Sequence, residues 1–200
     1  KVTPEKLKAG GVDAVVMSIA AGPKPRTDAG RAAAYAEASA KLDTIQATSR
    51  AQPESLAIAT TAAEVRANAA QGVTSIVLGF QNAQSLENDL TRLDEFYAAG
   101  VRVFGLTHMG HNGFADSSRP MFDGETGKYE IEEEHLGLSY IGRAAAERID
   151  QMGGIIDVSQ MSKAATLQAI ELSETPVIAS PPRRSSNSRY ASSAVTGGTR

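Results

Sequence analysis

Three short apolar runs in this chain each follow a helical stretch that closes on glycine. Gly72 stands before the run 75–80, Gly100 before 101–106, and Gly153 and Gly154 before 155–158. Short apolar runs bounded by turn residues read as buried strands, and the alanine-rich spacers between them read as helices with glycine stop signals. The same rule predicts strands over 12–19, 56–60 and 176–180. It predicts helices over 27–50, 61–71, 86–99 and 136–152, and one capped by Ser162 that runs to 173. Strands alternating with helices through short turns point to a parallel α/β architecture. No Gly-x-Gly-x-x-Gly follows a strand, so an open dinucleotide-binding sheet lacks its fingerprint. The expected fold is a partial (β/α)8 TIM-like barrel of the metal-dependent hydrolase type. About six strands are legible against the eight of a closed barrel, so the first and last strands are expected to be missing.

In such a sheet the chemistry sits at the C-terminal ends of the strands. The run 101–106 leads there into Thr107, His108, Met109, Gly110, His111, Asn112, Gly113, Phe114, Ala115, Asp116 and Ser117, which holds two of the three histidines. Other runs end at Gln81, at Gln160, and at Ser180 and Pro181. A polar insertion over 112–135 follows, a length that is usually functional or mobile.

Composition narrows the partners. With 42% hydrophobic and 22% charged residues and a net charge of −3, the chain has the balance of a soluble protein and no electrostatic footprint for nucleic acid or an anionic membrane. No apolar run reaches the length of a membrane span. The chain opens on Lys1, Val2, Thr3 and Pro4, with no signal peptide in view. The compartment stays open, and a bacterial-type soluble protein, exported or not, is compatible with it. The absence of cysteine excludes disulfides and thiolate metal sites, so any metal needs His, Asp or Glu ligands.

The composition changes after Ser180. Residues 181–200 hold five serines, four arginines and two prolines and follow neither a helical nor a strand period. The expected organisation is therefore a domain over 1–180 and a tail over 181–200. That tail is either disordered or read in a shifted frame.

Several segments together resemble the renal or membrane dipeptidase family. They are Val77, Leu78, Gly79, Phe80, Gln81 and Asn82; Tyr97 to Arg102 leading into Leu106, Thr107 and His108; and Asn112 with Ala115, Asp116 and Ser117. Further on come Gly137, Leu138 and Ser139; Met152, Gly153, Gly154, Ile155, Ile156, Asp157, Val158 and Ser159; and Ser173 with Pro176, Val177, Ile178, Ala179 and Ser180. The resemblance covers residues 1–180, and its specificity lies in the combination. It implies a zinc peptidase that cleaves dipeptides by two-metal hydrolysis, with a small peptide as its partner and a homodimer as a candidate assembly.

Carried over residue by residue, the resemblance assigns His108 the role of the substrate-contacting, catalytic histidine and places Asn112 beside it as a substrate-binding residue. Gln81 stands at the position of the glutamate that bridges the two metals. Gln160 stands at that of one metal-binding histidine, and Pro181 at that of another. The His-x-Asp pair of the family's first strand and its late aspartate have no counterpart here. A neutral amide replaces neither a bridging carboxylate nor an imidazole, so one zinc ion or none is expected, and little or no activity from these residues alone. The alternative is a non-catalytic homologue that binds a small ligand at the same rim.

The remaining candidates read as structural. His111 is an extra ligand only on a weak loop spacing. His135 follows Glu132, Glu133 and Glu134, a run that suits a solvated face or a helix N-terminus. Asp116 and Asp157 are expected to hold structural bonds. Ser159 and Ser180 lack the partners of a triad.

Overall fold

The computed structural model describes residues 2–86, 88–123 and 126–180. Pro181 and the rest of the segment 181–200 lie outside the described residues. In chain order the elements are α1 (Pro4–Ala9), β1 (Ala14–Ser18), α2 (Asp28–Ala51), β2 (Leu56–Ile58), α3 (Ala62–Ala70) and β3 (Thr74–Gln81). They continue with α4 (Thr91–Ala98), β4 (Val101–Gly105), β5 (Phe122–Asp123), β6 (Lys128–Tyr129), α5 (Tyr140–Gln151), β7 (Ile155–Asp157) and α6 (Lys163–Leu172).

Five strands form one parallel sheet in the order β1-β3-β4-β7, with β2 also paired to β3. Alternate residues of β3 face its two edges. Ser75 N and Gly79 O bond to the β1 side, while Thr74 N and Ile76 O bond to β2. β2 and β4 therefore share one edge of β3, with β2 against 74–76 and β4 beyond the register shift at Leu78 and Gly79. β3 is buried along nearly its whole length, as a parallel strand covered on both faces must be. Among the described residues β1 pairs on one edge only, and it leaves Val16 and Met17 exposed.

All the described helices but α4 begin where a side chain supplies a cap. Thr27 caps α2 by accepting from Gly30 N at 3.1 Å. Thr61 and Glu64 form a reciprocal capping box on α3. Ser139 and Ser162 cap α5 and α6 in the same way as Thr27. On α2 the buried positions are Gly30, Ala34, Ala38, Leu42, Ile45 and Ser49, which recur at three or four residues and so form a single face. That face packs over β2 and a 3-10 turn at Ala83–Leu86. Phe80 links the two neighbouring layers of the core, with its ring 5.2 Å from Phe96 on α4 and 5.9 Å from Phe104 on β4.

Two helix starts, one expected strand and the inside of the insertion differ most from the sequence expectation. The helix expected over 86–99 begins only at Thr91, because Asn88 is left-handed and Asp89 accepts from Thr91 N and Oγ1 at 2.9 and 2.7 Å. The helix expected from Leu136 begins at Tyr140. Leu136 and Gly137 take φ of 54° and 118°, and Gly137 N is captured by Asp116 at 2.9 Å. The run 176–180 is extended but joins the sheet through one bridge, Asp157 to Ile178. Inside the insertion, β5 and β6 make a small antiparallel hairpin with Phe122 and Tyr129 edge to face.

One glycine fixes how the insertion docks. A Cβ on Gly142 would lie 1.8 Å from the Phe114 carbonyl oxygen, so the first turn of α5 approaches that loop as only glycine allows.

Candidate active site

The C-terminal ends of β3, β4 and β7 lie side by side, with Gln81 in register with Gly105 and Gly105 with Asp157. His108 comes three residues after Gly105, and Gln160 three after Asp157. The parallel sheet thus brings Gln81, His108 and Gln160 to adjacent strand ends on one rim.

His108 is half-buried, and its carbonyl accepts from Ser117 Oγ at 2.7 Å. Its Nδ1 is buried and has no hydrogen-bond partner. Burial, followed by the nearby charges of Arg119 and Lys41, holds its pKa below the ordinary histidine value. The imidazole is neutral at pH 7. Gln160 sits at φ 65°, a left-handed backbone rare for a non-glycine residue. Its carbonyl is fixed there by Ser118 N at 2.8 Å and Ser117 Oγ at 3.2 Å, while its Oε1 is buried without a partner. Among the described residues the Gln81 side chain has no hydrogen bond.

The other candidates are engaged within the chain. Asn112 is buried, and its Nδ2 donates to Leu106 O at 2.8 Å and Asn82 Oδ1 at 3.3 Å. Its Oδ1 accepts from Phe114 N and Ala115 N at 2.9 and 3.2 Å. The amide expected to meet substrate is thus a brace between the end of β4 and the insertion. His111 Nε2 faces Ile131 O at 2.8 Å and so carries the hydrogen, leaving Nδ1 to accept from Ser117 N at 3.0 Å. His135 Nε2 donates in the same way to Asn112 O at 2.8 Å.

Asp116 is wholly buried and accepts from the backbone N–H groups of Glu134, His135 and Gly137 at 2.9 to 3.1 Å. Burial opposes its ionisation, yet these donors outweigh burial, and its pKa lies below the ordinary carboxylate value. Asp157 accepts from Ser159 N at 2.9 Å, Ser180 N at 3.1 Å and Ser180 Oγ at 2.6 Å, which ties the extended segment 176–180 to the end of β7.

The sequence reading assigns no role to Thr107, Ser117 or Lys41. Thr107 is fully buried, and its Oγ1 has no partner. The one hydroxyl hydrogen of Ser117 is shared between the carbonyls of His108, the nearer, and Gln160. Lys41 Nζ donates to the carbonyl of Ala20, just beyond β1. It also bonds Glu37 at 2.7 Å, and Lys24 bonds the same carboxylate at 2.7 Å. Together these cations, Lys24 first, lower the Glu37 pKa to about 2. No local signal gives these roles, because Lys41 and Ser117 meet Ala20 and Gln160 far along the chain and Thr107 is set apart by the lack of any partner.

A cavity of about 100 Å³ opens beside the insertion, lined by Arg26, Arg31, Gln84, Asn88, Asn112 and Gly113. None of the three rim residues lines it. Arg26 is committed to Glu134 through two bonds of 2.5 and 2.8 Å, and Arg31 to Asp28. The cavity is therefore a seam between the β1 loop and the insertion. Among the described residues no group of three or more His, Asp or Glu side chains is placed to hold a metal ion. No described helix is long and apolar enough to cross a membrane.

Comparison with known proteins gives this geometry a context. The sequence model of the membrane dipeptidase family, peptidase family M19, matches residues 1–191. The chain is 30% identical over 128 residues to dipeptidase aclJ of Aspergillus oryzae, covering 63% of this chain and 28% of that one. It is 28% identical over 102 residues to human dipeptidase 3, covering 51% of this chain and 20% of that one.

Among solved structures, the probable dipeptidase PvdM of Pseudomonas aeruginosa superposes with a TM-score of 0.78 at 34% identity, over 86% of this chain and 44% of that one. A metallo peptidase of Rhodobacter sphaeroides, solved with a phosphinate mimic of L-Ala-D-Ala, shares the fold with a TM-score of 0.76 at 21% identity, over 89% of this chain and 55% of that one. The chain thus spans between about a fifth and about half the length of these relatives. The parallel sheet is accordingly part of a TIM-like barrel. By its sequence and its fold, the chain belongs to the membrane dipeptidase family, peptidase family M19.

Proposed function

We propose that the complete protein takes dipeptide-sized peptides at the C-terminal rim and acts on their amide bond, with His108 facing the substrate. The observation that carries this reading is the contrast among the three histidines. His111 and His135 are tied through a ring nitrogen to backbone carbonyls, and among the described residues only His108, at a strand end, has a buried ring nitrogen without a partner. A neutral imidazole with a free N–H donates to a carbonyl oxygen and strengthens that bond as negative charge develops there. Ser117 fixes the backbone of His108, and the insertion that carries Ser117 is pinned by Asp116. The ring is thus held on a rigid support, as a group that meets a transition state requires.

Two relatives are described as metallo peptidases, and a metal is expected of the family. The described rim residues do not fit one. Gln81 and Gln160 are neutral amides, Asp157 already accepts from three donors, and no acidic or imidazole cluster is present among the described residues. We therefore place any zinc ion of the complete protein, one at most, on residues other than these. On the same ground the 200 residues alone do not turn dipeptides over. A second reading, a non-catalytic homologue that binds a small ligand, draws on the same two amides.

The test is hydrolysis of L-Ala-D-Ala, the dipeptide mimicked in the Rhodobacter structure, by the complete protein and by this chain. Turnover by the complete protein is expected to fall at least a hundredfold in His108→Ala with its metal content unchanged. The chain alone is expected to show none. Turnover by the chain alone near the ordinary enzyme rate of about ten per second, or an indifferent His108→Ala, refutes the proposal. Binding without turnover in the complete protein establishes the second reading.

A further inference from the structure

We propose that the rim formed by Gln81, His108 and Gln160 is a carboxylate site, balanced by Lys41 and Arg119, and that these residues hold no divalent metal. The inference rests on the peptide reading only for the identity of the molecule that brings the carboxylate.

The first ground is the donor set. Gln81 and Gln160 each carry an NH₂ group, and neither side chain makes a hydrogen bond among the described residues. Two free carboxamides and one neutral imidazole offer N–H donors in number but no negative charge. A carboxylate needs such donors, whereas a divalent cation needs the charge that is missing.

The second ground is the charge around the rim. Lys41 is anchored on the carbonyl of Ala20 at the end of β1, the same side of the sheet. Arg119 follows the Ser117 that holds His108, and its backbone N donates to that same Ser117 hydroxyl at 3.1 Å. Its guanidinium has no ion pair among the described residues. Both cations act on the His108 ring and disfavour its protonation. Asp157 and Asp116 keep their charge but spend their lone pairs on neutral donors of the chain, and Glu37 is shared by Lys24 and Lys41. The charges that act on the His108 ring are the cations Arg119 and Lys41, which disfavour a divalent ion beside it and favour an anion.

The third ground is polar groups left without partners. Thr107 Oγ1, His108 Nδ1 and Gln160 Oε1 are buried without one, on two adjacent strand ends. Buried polar atoms are nearly always satisfied, so three exceptions on neighbouring strand ends stand out; Thr107 Oγ1 and His108 Nδ1 can donate to an anion, and a turn of the Gln160 amide about its last bond puts its NH₂ group in place of Oε1. Gln160 is also held in a left-handed backbone by two hydrogen bonds to its carbonyl, and such enforced strain gathers at ligand sites.

The test uses calorimetric titration of the complete protein with succinate, with uncharged succinamide and with zinc alone. Succinate is expected to bind at least tenfold more tightly than succinamide. Arg119→Gln, an exposed position, is expected to weaken succinate at least fivefold with an unchanged melting temperature. The double variant Gln81→Ala, Gln160→Ala is expected to weaken succinate at least tenfold and to leave the zinc stoichiometry as it was. Equal binding of acid and amide, an indifferent Arg119→Gln, or zinc lost in the double variant overturns the proposal.

A parallel titration with L-Ala-D-Ala and its C-terminal amide separates this inference from the peptide reading. If succinate binds but the dipeptide neither binds nor is cleaved, the peptide reading falls and the carboxylate site stands. If the dipeptide is cleaved while succinate does not bind, the carboxylate site falls and the peptide reading stands.

Discussion

The insertion 112–135 and the rim it borders are both rich in polar side chains. In the insertion and at His111 just before it, Asn112, His111, His135 and Asp116 each bind backbone groups of the chain. On the rim, Thr107, His108 and Gln160 each leave a buried polar atom without a partner. The same residue types therefore do different work a few positions apart. His108 and His111 are separated by one short turn, yet one ring is a staple and the other is free. Partnership, and not residue type, distinguishes scaffold from site, because a buried polar atom without a bond costs stability that only a ligand or a function recovers.

Breaking the scaffold side should have the largest effect. Asp116→Ala leaves three backbone N–H groups without their acceptor inside the protein, and a loss of about 3 kcal/mol or more is expected. Urea denaturation checks this, and a loss under about 1 kcal/mol would place the insertion's anchor elsewhere. His108→Ala, three residues before His111, should cost far less in the same measurement, because it breaks no side-chain hydrogen bond.

The rim gives the next effect, with the opposite sign. Thr107→Val removes a buried hydroxyl that has no partner and keeps the side-chain shape. Stability is expected to rise by up to about 1 kcal/mol, since a buried hydroxyl without a bond is unfavourable. A loss of more than about 1 kcal/mol would show that the hydroxyl is satisfied and would erase the contrast at that position.

The smallest effect is a pH dependence. The folded-state pKa of His108 lies below its unfolded value of about 6.5, so below that pH the unfolded chain takes up the proton first. Stability should therefore fall as pH falls through that window, and the part due to this ring should vanish in His108→Ala. Asp116 also has a lowered pKa, but its contribution is present above about pH 4 and lost only below it, so the two windows are separable. Melting temperatures at about pH 7.5, 5.5 and 3.5 for the wild type and His108→Ala resolve them. An unchanged slope in the upper window would mean that His108 titrates as an exposed group.

Much of the fold was legible in the sequence because its signals are local. The runs 75–80 and 101–106 became β3 and β4 because short apolar runs after glycine suit buried parallel strands. Thr27, Ser139 and Ser162 marked helix starts because a hydroxyl reaches the N–H three residues on. The delayed start of α5 was not legible, because the groups that hold 134–137 out of the helix belong to Asp116, about twenty residues away. Of the rim, Gln81, His108 and Gln160 were found as strand ends. Asn112 was found as a position but not as the internal brace it forms, since its partners Asn82 and Leu106 lie across the sheet end.

The sequence by itself determined the parallel α/β plan, the strand ends and the family resemblance, for these rest on period, glycine punctuation and residue order. Only the tertiary structure decided which polar groups are engaged and which are free. Ser117 meets Gln160 across 43 positions, Lys41 reaches Ala20 across 21, and Asp116 holds Gly137 across 21. A hydrogen bond depends on where both partners lie in space, and spacing along the chain does not carry that information when the partners are this far apart.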